Sequence, residues 1–268
     1  MSLIEIIVLA IVQGLTEFLP ISSSGHLILA PAFLGWGDQG LAFDVAVHVG
    51  TLAAVVWFFR DDIWQMIRAF FRQTQSDLSD VDRQHARLAW FIIAATIPVG
   101  IVGIVFRDFI EAYLRSPAVI AATTAGFGVL LYLAERFGRS TRALANMRVS
   151  DAVAIGVAQA LALIPGTSRS GVTMTAGLAM GLDVKSAARF SFLLSIPVIV
   201  LAGGLEAIKL VESGVSVDWR TLIIGAAFSA VVAYLTIRFF LKFISSIGML
   251  PFMIYRLALA ALIFYVFV

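Results

Sequence analysis

Ile164-Pro165-Gly166-Thr167-Ser168-Arg169-Ser170-Gly171-Val172-Thr173 is a polar knot with an arginine at its centre and apolar sequence on both sides. The surroundings are those of a membrane protein. Hydrophobic residues make up 60% of the 268 and charged residues 13%, against about 45–50% and about 25% in ordinary soluble domains, and mean hydropathy is +0.98. An arginine at membrane depth is disfavoured by about 2.5–3.5 kcal/mol, so the fold must give it a polar cavity, a partner or a ligand. Gly166 and Gly171 allow close backbone approach, and Thr167, Ser168, Ser170 and Thr173 add hydroxyls. Successive N–H groups and the positive end of a following half-helix would complete a site for an anion such as phosphate.

A second knot near the N-terminus supplies what the first lacks. Gln13-Gly14-Leu15-Thr16-Glu17-Phe18-Leu19-Pro20-Ile21-Ser22-Ser23-Ser24-Gly25-His26 carries a carboxylate, three serines and an imidazole. Gln13 and Glu17 are four apart and share a helix face, and Pro20 marks a break before the serines. Gln13 precedes Gly25 by the same interval that separates Gln159 from Gly171, each stretch has a mid-segment proline, and each closes on Ser-Gly. That common skeleton predicts an internal duplication at an offset of 146 residues.

Segment lengths extend the duplication along the chain. Residues 3–36 and 152–182 are short, interrupted apolar pairs, below the roughly 20 residues of a clean span, and read as re-entrant half-helices. Full spans follow at 41–59, 88–106 and 118–134, and again at 190–207, 222–240 and 251–268. The expected fold is an all-α integral membrane protein of two repeats, 1–135 and 151–268, forming one integrated domain. Each repeat is a re-entrant pair plus three transmembrane helices. Three is odd, so the repeats have inverted topology, an architecture that places a site at the repeat interface.

Charge bias supports the same layout. Arg60, Arg68, Arg72, Arg83 and Arg87 lie in a polar loop, Arg136, Arg139, Arg142 and Arg148 in another, and Lys185, Arg189, Arg238 and Lys242 at span ends on the same side. The other side holds only Arg107, Arg115, Lys209 and Arg220. By the positive-inside rule the first side is cytoplasmic and both termini are outside. The first hydrophobic stretch has no basic segment before it and reads as part of the mature fold. A net charge of +2 with scattered basic residues gives no footing for nucleic acid, and the absence of cysteine removes disulfides and thiolate metal sites.

The reactive candidates follow from residue type and spacing. Arg169 has a planar fork that matches phosphate, the alternative being a structural cap on carbonyls. Glu17 suits metal coordination or acid–base work, the alternative being a protonated core residue. Serines in membrane helices often bond their own backbone, but three before Gly25-His26 exceed that need. Ser23 and His26 are three apart, so a helix would let His26 take the Ser23 proton; attack by His26 itself, or by a metal-bound water, stays open. His48 and Asp44 share a face of the 41–59 span and are open between site and packing, and His85 sits among loop arginines.

These motifs resemble the two signatures of the undecaprenyl-diphosphate phosphatase family, also called bacitracin-resistance proteins. Gln13 to Glu17 with Ser22 to His26 is similar to the first, and Pro165 to Thr173 to the second; Phe190 to Pro197 and Pro251 to Arg256 also resemble that family. The resemblance implies hydrolysis of a C55 isoprenyl diphosphate to the monophosphate, recycling the cell-wall carrier lipid. It implies a multi-pass protein of the bacterial inner membrane, with the site opening to the periplasmic side and a divalent cation, Mg2+ or Ca2+, as cofactor. Residue by residue, its acidic motif falls on Gln13 and Glu17, its serine-histidine motif on Ser22, Ser23 and His26, and its phosphate-binding motif on Ser168, Arg169 and Thr173; joined to the reading of the two knots, catalysis is expected on Glu17, Ser23, His26 and Arg169, substrate binding on Gln13, Ser22, Gly166, Ser168, Ser170 and Thr173, and the metal on Glu17 and Gln13. The first acidic position, Glu or Gln in the family, is Gln13 here, and an amide oxygen is an acceptable ligand for a hard ion. The implied partners are the polyprenyl diphosphate and the bilayer, with a homodimer left open.

Two other classes share part of this pattern. A phosphatidic-acid-type phosphatase shares Ser-Gly-His and Ser-Arg, but no histidine follows Arg169, which excludes it. An isoprenyl-phosphate transporter or flippase is the alternative, because inverted repeats with broken helices are also transport architecture.

Overall fold

A computed structural model describes residues 1–74, 79–139, 141–212 and 218–268. Among them the structure is helical, with no strand beyond one isolated bridge between Arg142 and Leu182. Helix α1 (Leu3–Thr16) starts on a capping box in which Ser2 and Glu5 exchange bonds, and α2 (Ser23–Leu34) ends on Gly35 at φ 67°. Then come α3 (Leu41–Phe58), α4 (Arg60–Arg72) and α5 (Asp80–Val105), the last capped by Ser79. A short α6 (Arg107–Tyr113) leads to α7 (Pro117–Phe137), which opens with Ser116 as cap and proline in the first turn. The remaining helices are α8 (Val149–Ala160), α9 (Arg169–Ala179), α10 (Val184–Glu212), α11 (Trp219–Ile247) and α12 (Leu250–Phe267).

Six of these, α3, α5, α7, α10, α11 and α12, are long and apolar enough to cross a membrane. They overlie the six spans expected from hydropathy. Their outward positions stay apolar, as Trp57, Ile104, Phe239 and Tyr265 show, which suits a surface solvated by lipid tails. Two boundaries differ from the sequence reading. The arginine-rich stretch 60–87 is mostly helix: α4 buries Met66 and Ala69 on one face, so its arginines decorate an amphipathic helix. Helix α5 begins eight residues ahead of its apolar run, because Ser79, Asp80 and Asp82 form a strong N-terminus.

The helices interlock across the two halves of the chain. Helix α1 packs on α11 and α8 packs on α5, while α7 lies against α12. Glycine makes the first two contacts close: a Cβ on Gly14 would stand 2.8 Å from the Ser229 carbonyl oxygen, and one on Gly156 would stand 2.7 Å from Ala95 Cα. Small residues at such crossings let backbones approach where dispersion, rather than water exclusion, drives association. The main core gathers around Phe18, Phe192 and Phe240, with Phe18 edge-on to Phe192 at 5.2 Å. This packing seats the turn after α1 against the turn before α9.

Candidate active site

Each knot is a turn that delivers a helix N-terminus. Ser22 (φ 75°) and Ser168 (φ 70°) are the only non-glycine residues with positive φ among the described residues, and they stand 146 positions apart. Each immediately precedes its helix, α2 or α9. The hydroxyl pairs repeat as well, Ser22 with Ser24 at 3.3 Å and Ser168 with Ser170 at 3.2 Å. Such backbone costs about 1–3 kcal/mol per residue and persists only where its surroundings hold it. Here the Ser22 carbonyl accepts His26 Nδ1–H at 2.7 Å, and Ser168 Oγ accepts Gly171 N–H at 3.2 Å.

The buried guanidinium of Arg256 braces both turns. It donates to the carbonyls of Pro20 (3.2 Å), Gly166 (2.9 Å) and Thr167 (3.0 Å), and to those of Thr123 and Thr124 on α7. One cation thus satisfies carbonyl groups that the broken helices leave without ladder partners.

Charges and hydroxyls then converge. Arg169 donates through Nη2 to Glu17 Oε1 at 2.9 Å and through Nη1 to the Ser191 carbonyl at 3.0 Å. The other carboxylate oxygen, Oε2, accepts Ser23 Oγ–H at 2.8 Å and Gln13 Nε2–H at 3.0 Å. Glu17, Ser22, Ser23, Ser168 and Arg169 line a cavity of about 390 Å3, together with Ser24, Asp44 and His48. Both α2 and α9 begin at this cavity, and a helix N-terminus carries partial positive charge suited to an anion. Arginine, two helix starts and a wall of hydroxyls can hold a phosphate group while Glu17 keeps hold of the Ser23 proton.

Other candidates sit behind the cavity or away from it. Gln13 is fully buried, with its Oε1 lacking a partner among the described residues. Thr173 is buried and bonds Ser191 Oγ at 2.7 Å, and Ser170 donates to the Leu19 carbonyl at 2.9 Å, so both fasten the turns. Gly166 faces α7: a Cβ there would stand 2.3 Å from Thr123 Oγ1, which makes the glycine a packing requirement. His26 does not reach Ser23. Its Nδ1 is committed to the Ser22 carbonyl and its Nε2 meets Tyr255 Oη at 2.6 Å.

Sequence reasoning missed Tyr255 and the bracing role of Arg256, and left His48 and Asp44 undecided. For Arg256 the signal was present, as a charge within an apolar span. For Tyr255 the signal lay only in its place within the Pro251 to Arg256 stretch that resembles the family, since by itself a tyrosine in a membrane helix is ordinary.

The fold and the cluster define a helical multi-pass membrane protein with an arginine, a carboxylate and serine hydroxyls gathered between its two halves. Residues 6–262 match the family described as bacitracin resistance protein BacA. The chain is 58% identical over 271 residues to undecaprenyl-diphosphatase 2 of Stutzerimonas stutzeri (strain A1501), covering 100% of this chain and 99% of that protein. It is 56% identical over 264 residues to the undecaprenyl-diphosphatase of Teredinibacter turnerae, covering 98% and 99%, and 54% identical over 267 residues to that of Nitrosococcus oceani, covering all of both. The chain belongs to the bacitracin resistance protein family.

Proposed function

We propose that this protein is a membrane phosphatase that hydrolyses undecaprenyl diphosphate to undecaprenyl phosphate and inorganic phosphate. The observation that carries the reading is the junction at Glu17, where Arg169 from one turn and Ser23 from the other meet one carboxylate, in a chain whose relatives bear the name undecaprenyl-diphosphatase over their full length. Ser23 Oγ attacks the terminal phosphorus, its proton passes to Glu17, and the bond from phosphorus to the bridging oxygen breaks to release the lipid monophosphate. Water then cleaves the phosphoserine. On substrate binding Arg169 exchanges the carboxylate for phosphate oxygens, so that it is already in place when charge builds there and lowers the barrier, and the carboxylate it leaves is free to take the proton. His26 holds the Ser22 turn.

A divalent ion fits part of this site. Glu17 offers one carboxylate, and Gln13, which turns its Nε2–H to that carboxylate, would offer its partnerless amide oxygen once the amide is turned over; among the described residues no three His, Asp or Glu side chains form a cage. That is the pattern of an ion held by one carboxylate and completed by substrate phosphates, as Mg2+ often is; Ca2+ takes the same oxygen donors. Glu17 and Gln13 would hold it, and when bound it would offset negative charge on the diphosphate.

In the membrane we read residues 1–135 and 151–268 as inverted repeats, with α1–α2 and α8–α9 as re-entrant pairs and the cavity opening to the periplasmic side of the inner membrane. The paired serines at an offset of 146 and the reciprocal packing of α1 on α11 and α8 on α5 support this reading. Phosphate release from undecaprenyl diphosphate by the purified chain tests the function. Transbilayer movement of the lipid without released phosphate would replace it with a flippase.

A further inference from the structure

The catalytic cavity continues along the outside of the helices. Val198, Ala202 and Glu206 on α10 line it, and the same three residues line a second space, of about 300 Å3, between α10 and α5. Gly100 and Leu201 in turn belong both to that space and to a third, of about 610 Å3, whose walls run along α5 to Ala89 and onto α4 at Met66 and Phe70. The three join into one groove. Between Ile104 and Ala89 it follows α5 for about 22 Å at the helical rise of 1.5 Å per residue, which is most of a hydrocarbon core of about 30 Å.

Polarity changes along the groove. Arg107, Arg115, Glu206 and Lys209 stand in the part beside the catalytic cavity, where Lys209 pairs with Glu206 at 2.5 Å. Beyond them the described lining is apolar apart from Thr96, and that hydroxyl is turned back to the Ile92 carbonyl at 2.7 Å.

Two glycines keep the groove wide. A Cβ on Gly100 would meet nothing within 4 Å, and one on Gly103 would touch the Leu163 methyls at 3.8 and 3.9 Å, which is ordinary contact. Glycine weakens a helix interior relative to alanine, and here no close backbone approach of the kind seen at Gly14 and Gly156 accounts for it. What the missing side chains leave is room.

We infer that the groove between α5 and α10 holds the polyprenyl chain of the substrate, with Gly100 and Gly103 setting its width. The identity of the head group rests on the phosphatase reading above. A diphosphate held at Arg169 leaves its chain at the cavity wall, and Val198 and Ala202 open that wall onto a path that stays apolar to the lipid.

The test uses the full-length chain in lipid nanodiscs. The probe is a methylene-bridged undecaprenyl diphosphonate with a diazirine half-way along its chain. Illumination should place the label on α5 and α10, around Ile93, Ile97 and Leu201. Excess unlabelled diphosphonate should abolish it, and excess phosphatidylglycerol should not. Gly100→Leu fills the groove where a Cβ has space, so it should weaken labelling and raise KM for undecaprenyl diphosphate about tenfold or more, as a methylene's change in an apolar pocket can. The kcat should change little, because the chain makes the same contacts before and during the chemistry. If the variant does not fold, the labelling of the unaltered chain still decides. Label on other lipid-facing helices such as α7 and α12, or an unchanged KM in Gly100→Leu, overturns the inference. Displacement by phosphatidylglycerol also overturns it, since the groove then holds ordinary bilayer lipid. Phosphate release by the same preparation decides separately whether the phosphatase reading stands.

Discussion

Arg169 Nη2 and Glu17 Oε1 meet at 2.9 Å across 152 residues of sequence, and both side chains are largely buried. Neither charge would be tolerable alone in this setting, since an unpaired buried ion costs several kcal/mol. The pair holds the two turns in register and leaves one cation ready for a phosphate that can replace the carboxylate.

Arg169→Lys tests the fork. The guanidinium bonds the Ser191 carbonyl and Glu17 with different nitrogens, and a single ammonium cannot reproduce both directions. Phosphate release from undecaprenyl diphosphate should fall by about 10²–10³ in kcat, the usual cost of a lost transition-state donor. Near-normal turnover would remove Arg169 from the chemistry.

Ser23→Ala separates nucleophiles. Serine attack through the 2.8 Å bond to Glu17 predicts a loss of about three or more powers of ten in kcat, in line with other nucleophile deletions. A rapid-quench trap should recover phosphate on Ser23 in the unaltered protein. Retained activity in the alanine variant, or phosphate recovered on His26, would move the attack elsewhere.

Tyr255→Phe removes the hydroxyl that meets His26 Nε2 at 2.6 Å. Because His26 is read as holding the Ser22 turn, the variant should lose activity by about tenfold, comparable to one hydrogen bond of about 1–1.5 kcal/mol. His26→Asn, which also loses the bond to the Ser22 carbonyl, should lose more. A Tyr255→Phe loss as large as that of Ser23→Ala would place Tyr255 on the substrate.

Arg256→Met leaves the carbonyls of Pro20, Gly166 and Thr167 without this donor. The expected cost is about 3–5 kcal/mol or a failure to fold, seen as a lowered thermal midpoint in detergent, because buried acceptors would lose their partners together. A variant as stable as the parent would show that water reaches these carbonyls.

The inverted arrangement predicts opposite sidedness for Ser79 and Asp218, which cap the equivalent helices α5 and α11 of the two halves. In this cysteine-free chain, Ser79→Cys should react with an impermeant maleimide only from the cytoplasmic side and Asp218→Cys only from the periplasmic side. Labelling of both from one side would refute the layout.

What the sequence by itself determined is local in its physics. Six spans were legible because apolar length is a property of a segment, and the knots around Glu17 and Arg169 because charges and hydroxyls inside apolar sequence carry a cost that needs a reason. The 146-residue skeleton was legible too, and the positive φ of Ser22 and Ser168 falls on it. Helix α4 was obscured because five arginines between residues 60 and 87 outweighed the spacing of its apolar face. Tertiary structure alone decided which donor meets which acceptor. His26 is three residues from Ser23, yet it bonds Tyr255, 229 positions away, while Ser23 turns to Glu17. Spacing within a helix sets which side chains share a face, but the rotamer each one adopts follows the partner that packing brings near. For His26 that partner comes from the other half of the chain, as does Arg256, which bonds carbonyls of three separate segments.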